Sequence, residues 1–241
     1  PGTIEHAPFE QYLAAGINRL SIGVQSFSMA HLQALGRIHD PEQAKLAIKQ
    51  AALAGFERIN VDLMHGLPQQ SVAQALADLQ IAIDCGATHI SWYQLTIEPN
   101  TVFYRSQPTL PDEDILAQIQ EQGEALLRAH GYINYEVSAW TKEQPSRHNL
   151  NYWQFGDYLA IGAGAHGKVS LREGVYRFHK TRLPKDYLAK IPADNLQFKA
   201  ISPEELPFEF MMNALRLVEG VPQSYYAART GQELTTLLAQ L

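Results

Sequence analysis

The strongest constraint on this chain is its alternation of short β-rich runs with amphipathic helices long enough to cross back over a sheet. A helix over residues 9–15 precedes a strand over 17–22, and 30–35 reads as a short helix. The next helix is marked by Asp40 as N-cap, Pro41 in the first turn, and apolar Ala44, Ala47, Ile48 and Ala51, with Gly55 closing it. A strand over 59–64, a helix over 72–85 and a strand over 89–97 follow. Residues 112–128 carry Ile115, Ile119, Leu126 and Leu127 on one helix face, ended by Gly131. Runs at 133–139 and 158–161 are further strand candidates.

Repetition of this kind implies parallel strands with helices outside, because a parallel connection needs a crossover. The strand runs lack strict apolar–polar alternation, as expected where both faces of a sheet are covered. The predicted class is therefore α/β, a (β/α) barrel or part of one. After Gly167 the texture changes. Residues 168–171 and 175–179, separated by Arg172-Glu173-Gly174, predict a β-hairpin. Ser202-Pro203-Glu204-Glu205 is a capping box before a helix carrying Leu206, Phe210, Ala214 and Leu217. Residues 222–241 read as two short helices. The expected division is thus 1–167 and 168–241.

Composition narrows the partners. The 241 residues suit one large domain, or one with a small appendage. Lys plus Arg is 19 against 25 Asp plus Glu, a net charge of −6, which argues against nucleic acid or an anionic membrane surface. No run approaches the roughly 18 apolar residues of a spanning helix, and no signal peptide opens the sequence. The one cysteine, Cys85, excludes an intrachain disulfide and any cysteine-built metal cluster made from this chain alone. It also fits a reducing cytosol, so a cytoplasmic location is expected.

In parallel α/β folds, ligands gather at the carboxyl ends of the strands. Those ends would present Gln25-Ser26-Phe27, Asp62 through Pro68, Thr96 through Asn100, Glu136, and Gly162 through Gly167. Such groups suit a polar ligand with hydroxyl, amine and carboxylate functions, and Arg37 is a natural carboxylate fork. The same residues also suit plainer roles: Asp62 and Gln25 satisfying caps or loop backbone, Arg37 pairing with a surface acid. Gly162-Ala163-Gly164-Ala165-His166-Gly167 spells G-x-G-x-x-G, but it runs into a predicted hairpin rather than a helix. It therefore lacks the context of a dinucleotide fingerprint. His148-Asn149-Leu150-Asn151-Tyr152-Trp153 sets a histidine beside two aromatics, a combination that ligates haem iron while rings cover the macrocycle. It equally describes a helix end packed into a core. His39, His65 and His166 are weaker candidates individually.

Several strings together carry a family resemblance. They are Ile17-Asn18-Arg19-Leu20-Ser21-Ile22-Gly23-Val24-Gln25-Ser26-Phe27, Leu35-Gly36-Arg37-Ile38-His39, Asn60-Val61-Asp62-Leu63-Met64-His65-Gly66-Leu67-Pro68, and Trp92-Tyr93-Gln94-Leu95-Thr96-Ile97-Glu98-Pro99-Asn100-Thr101. They resemble the radical S-adenosyl-L-methionine (SAM) proteins related to oxygen-independent coproporphyrinogen III oxidase. Within that group, residues 148–153 match the H-N-x-x-Y-W haem motif of the HemW-type haem chaperones.

The resemblance implies a partial (β/α)6 barrel with a β-hairpin and a small helical C-terminal region. It also implies a 4Fe–4S cluster held by a C-x-x-x-C-x-x-C loop, with SAM on the fourth iron. That loop is absent here, so the chain is expected to be a central piece trimmed at both ends, with Pro1-Gly2-Thr3 as the tail of an E-x-x-P-G-T pattern. By resemblance, Gln25, Arg37, Asp62, Thr96, Ala165 and His166 fall on SAM-contacting positions. His148, Asn149, Tyr152 and Trp153 form the haem motif, with His148 as the candidate iron ligand.

Three functions follow as expectations. The first is a haem-binding chaperone that passes haem to acceptor proteins, without a membrane span and with peripheral membrane association left open. The second is an oxygen-independent coproporphyrinogen III oxidase, an anaerobic radical decarboxylase. The third is a cluster-free barrel enzyme or binding protein complete at 241 residues.

Overall fold

Local chemistry fixes the helix starts. In the computed structural model, which describes residues 8–190, 196–233 and 235, Asp40 accepts from the Gln43 amide at 2.7 Å and Gln43 returns a bond to the Asp40 amide at 3.1 Å. This reciprocal cap opens helix α3 (Pro41–Leu53). Ser71 and Gln74 do the same for α4 (Val72–Asp84). Each cap satisfies amides that the first turn leaves without a partner.

The chain forms two compact units, Pro1–Gln144 and Pro145–Leu241. The expected boundary after Gly167 differs from this division. The intervening segment packs with the second unit: Phe155 meets Phe210 and Asp157 holds Lys168.

In the first unit, α1 (Phe9–Ala14), β1 (Arg19–Gln25), α2 (Met29–Ala34), α3, β2 (Arg58–His65), α4 and β3 (His89–Gln94) come in that order. They are followed by α5 (Val102–Ser106), α6 (Glu113–Ala129), β4 (Ile133–Glu136) and β5 (Ala139–Thr141). The sheet order is β1-β2-β3-β5-β4. β1, β2 and β3 are parallel, as predicted, whereas β5 runs antiparallel to β3 and β4 antiparallel to β5. The single strand expected over 133–139 is therefore a hairpin turning at Val137-Ser138. Its turn is held by side chains: the Asn134 amide donates to the carbonyls of Glu136 and Ala139, and Ser138 donates to the Glu136 carboxylate. The first unit is a mixed α/β sheet with β1 and β4 as its edge strands among the described residues. A barrel is not seen among the described residues.

The strands alternate more cleanly than the sequence suggested. Ile22 and Val24, Ile59, Val61 and Leu63, and Ile90 and Trp92 form one apolar face. It is buried under Ala44, Ile48 and Ala51 of α3, Ala75, Leu79 and Ala82 of α4, and Ile119 and Leu127 of α6. Trp92 reaches so far into α6 that its ring occupies the place a Cβ on Gly123 would need. A mid-helix glycine costs about 1 kcal/mol in propensity; here it makes room for the indole. The opposite sheet face is polar, so the expectation of two apolar-covered faces does not hold.

The second unit contains α7 (Arg147–Trp153), β6 (His166–Leu171), β7 (Gly174–Lys180), α8 (Pro184–Ala189), β8 (Leu196–Ala200), α9 (Leu206–Ala214) and α10 (Ser224–Thr230). The predicted hairpin is present as β6–β7, and β8 extends it to three antiparallel strands. Gly167 lies directly beneath the Phe178 ring, which fills the space of a Cβ. The strand expected over 158–161 reduces to one bridge, Tyr158 with Lys168, because Leu159 and Ile161 point into solvent rather than into a core. The Ser202–Glu205 reciprocal bonds form, though in a turn just before α9. Of the two helices expected over 222–241, α10 is the first. The second falls almost wholly outside the described residues, as do Pro1-Gly2-Thr3.

Candidate functional site

Parallel register aligns the polar side chains of β1, β2 and β3 into one network. Asn60 is its centre. Its amide nitrogen donates to Ser21 at 2.6 Å and to Asp62 at 2.7 Å. Its oxygen accepts from His89 Nδ1 at 2.6 Å and from Ser91 at 3.1 Å. Ser21 also donates to the second Asp62 oxygen at 3.1 Å. With Nδ1 protonated, His89 Nε2 accepts from the Tyr135 hydroxyl at 2.8 Å. Burial, reinforced by the charges of Arg19 and Arg58, pushes the His89 pKa down to about 3, so the imidazole is neutral at pH 7. Both Asp62 oxygens are thus fixed by donors, and their remaining lone pairs can meet a ligand.

At the carboxyl end of the same strands, Gln25 takes a left-handed backbone, φ 70°, beside a register shift in the β1–β2 pairing. Positive φ in a non-glycine residue is uncommon and is a mark of functional sites. The bend lays the Gln25 amide over Gly23, 3.1 Å from where a Cβ would stand. Tyr93 donates to Gln25 Oε1 at 2.7 Å. Burial and then the Asp62 charge push the Tyr93 phenol up, while the Arg37 charge and the Gln25 bond oppose them. Tyr93 therefore lies within electrostatic reach of Asp62 and Arg37 and in contact with Gln25, joining three of the SAM candidates. Arg37 is exposed, and Thr96, also exposed, donates to Glu98 at 3.4 Å.

Behind this edge the polar side chains are buried. Asp78 of α4 accepts from the Ser26 hydroxyl and the Phe27 amide, both at 2.7 Å, and burial raises its pKa to about 6. His65 stacks on Trp92 at 4.3 Å, and burial lowers its pKa to about 4. His39 bonds the Val24 carbonyl at 3.0 Å. These histidines support the strand ends from inside the core.

In the second unit, Ser146 caps α7 through the Asn149 amide. Helical spacing splits the motif between two faces. His148 is exposed and meets the Tyr152 ring edge-on at 4.9 Å; Tyr152 in turn contacts Tyr158 at 4.5 Å. Trp153 stands one turn on from Asn149, its ring under the Arg216 guanidinium at 4.3 Å. The structure therefore brings Tyr152 to His148 and does not bring Trp153. Ala165 and His166 lie at the start of β6, where the Ala165 carbonyl accepts from Lys180. Gly162 and Gly164 hold φ of 95° and 70° just before them, in a loop that leads into a strand. Tyr93, Asn60, His89 and Tyr135 were not singled out from sequence; only strand register unites them.

Among known proteins, the chain is 50% identical over 233 residues to the heme chaperone HemW of Escherichia coli K12, covering 96% of this chain and 61% of that one. The Haemophilus influenzae heme chaperone HemW is 49% identical, covering 100% and 63%. The chain is thus similar in sequence to the HemW heme chaperones. The Bacillus subtilis HemW is 34% identical, over 92% of this chain and 60% of its own. The chain spans about three fifths of the length of these HemW relatives. The HemN C-terminal domain family matches residues 201–241. Among solved structures, coproporphyrinogen III oxidase (HemN) from Escherichia coli, a radical SAM enzyme, superposes with a TM-score of 0.79 over 99% of this chain and 58% of its own, at 18% identity. That likeness establishes a shared fold. No helix among the described residues is long and apolar enough to cross a membrane.

Proposed function

We propose that this chain forms the haem-binding and cofactor-facing part of a cytoplasmic haem chaperone of the radical SAM type, which hands haem to acceptor proteins. The observation that carries the reading is the H-N-x-x-Y-W segment on α7. Its imidazole is open to solvent, with an aromatic wall of Tyr152 and Tyr158 beside it. The identity with HemW proteins supports it.

His148 would offer its imidazole to haem iron and Tyr152 would lie against the macrocycle. Asn149 and Trp153, on the other helix face, would anchor α7. The polar strand ends fit the functional groups of SAM: Arg37 matches a carboxylate, and Gln25 and Asp62 match hydroxyls or an ammonium. Thr96, Ala165 and His166 are assigned to the same cofactor by resemblance, through backbone. The described strands would belong to a partial (β/α)6 barrel. A 4Fe–4S cluster does not fit these residues: the one cysteine, Cys85, caps the end of α4, and burial pushes its thiol up. No chemical step is assigned to this chain through such a cluster. The decarboxylase alternative draws on the shared HemN fold and on the same Gln25, Arg37 and Asp62 trio.

The test is a haem titration of the complete protein, followed at the Soret band, for wild type and His148→Ala. Loss of the ligated spectrum with at least tenfold weaker binding is expected. An unchanged spectrum and affinity would remove His148 from the role.

A further inference from the structure

The three-stranded sheet of the second unit gathers positive charge at one place. His166 of β6 stands opposite His179 of β7, and Gln197 of β8 continues the row. The two imidazoles are nearly parallel, 5.6 Å apart with planes at 25°. Just past β7 come Lys180, Thr181 and Arg182, and Lys190 follows α8. These groups and Gly164 line a pocket of about 580 Å³, within the roughly 300–1,000 Å³ range of small-molecule sites.

Its lining is distinctive in charge. Two imidazoles, two ammonium groups and one guanidinium face it, and among the described residues no carboxylate and no aliphatic or benzenoid side chain does. The chain as a whole carries a net charge of −6, so this concentration runs against the overall balance. Neighbouring cations on the same sheet behave differently. Lys168 is bound to Asp157 at 2.8 Å, and Arg177 to Glu209. Lys180 and Arg182 form no ion pair among the described residues, and Lys190 donates to the Thr181 hydroxyl. The sheet thus neutralises two of its cations internally, while Lys180 and Arg182 face the cavity.

A pocket of this kind accepts the acidic part of a ligand, because the side chains that line it are mostly cationic or imidazole groups. A guanidinium fork flanked by ammonium groups suits paired carboxylates. We propose that the pocket binds a ligand through two carboxylates. Resting on the haem-carrying reading above, these are the two propionates at one edge of the tetrapyrrole, with the macrocycle lying outside the pocket. The resemblance assigns the backbone at Ala165 and His166 to SAM; the His166 imidazole is the part that stands in this row.

The test compares haem with its dimethyl ester, which keeps iron and ring but lacks free carboxylates, in the complete protein and in a Lys180→Gln/Arg182→Gln variant. Haem should bind at least tenfold more weakly to the variant, with the Soret position kept because His148 is untouched. The ester should bind wild type and variant alike. Equal haem affinity in the two proteins, or an equal loss for the ester, overturns the proposal. Citrate and pyrophosphate, titrated calorimetrically, separate the remaining cases. If wild type binds no haem but binds citrate, and the variant does not, the carboxylate pocket stands and the haem-carrying reading falls. If pyrophosphate binds and citrate does not, the pocket takes phosphates and the proposal is overturned. Unfolding curves for the variant matching wild type exclude a folding defect as the cause.

Discussion

The strand ends of the first unit and helix α7 of the second present their candidate ligand groups in contrasting ways. Around Asp62 every polar atom is held by another: Ser21, Asn60, His89 and Tyr135 form a continuous chain across four strands, buried at its middle. Around His148, among the described residues, stand an edge-on tyrosine and open solvent. The first arrangement orients groups before a ligand arrives and ties them to the stability of the sheet. The second leaves an imidazole free to be captured and released. That difference suits a molecule that would keep one ligand in place and pass another on.

The contrast can be broken by substitution. Asp78→Ala should have the largest effect, since it strands the buried Ser26 hydroxyl and Phe27 amide. At about 1–3 kcal/mol for each of the two orphaned groups, urea unfolding should show a loss of about 2–6 kcal/mol. A loss under about 1 kcal/mol would show that the buried bonds do not carry the edge.

Tyr135→Phe should cost less, about 1 kcal/mol, and its diagnostic readout is a titration. It removes the donor that favours neutral His89, so the His89 pKa should climb from about 3 when followed by NMR. The sign of the linkage is set by that depression. A histidine held below its unfolded value stabilises the fold above about pH 6.5, and the contribution is lost as pH falls through the folded value. The variant should therefore show a smaller acid-dependent loss of stability over that window. An unmoved pKa would mean the hydroxyl does not set the imidazole's state.

Tyr152→Leu should have the smallest effect on folding, within about 0.5 kcal/mol, while weakening haem binding several-fold. A folding loss as large as that of Tyr135→Phe would erase the distinction between the two regions.

Legibility in the sequence followed how local each signal was. The α3 and α4 starts were readable because Asp40 with Gln43, and Ser71 with Gln74, act within one turn. The α7 motif was readable as a string, but not its division into two faces. The polar face was obscured at the end of β2, where Met64 stands in the polar register and His65, buried against Trp92, in the apolar one. The β4–β5 hairpin was hidden because Asn134 and Ser138 side chains hold its turn, where a reader looks for glycine. β8 carries a local signal of its own, since Leu196, Phe198 and Ala200 alternate with Gln197 and Lys199. The Asp62 network had no linear signal, since its members come from four strands.

The open side of β1 has a practical consequence. Among the described residues that strand pairs only with β2, and none of them bonds as a strand to its outer amides and carbonyls. Any strand that joins there would lengthen the polar wall and the apolar floor together. When nothing joins, copies of the polypeptide can zip to one another along that edge, and dilute handling would favour the monomer.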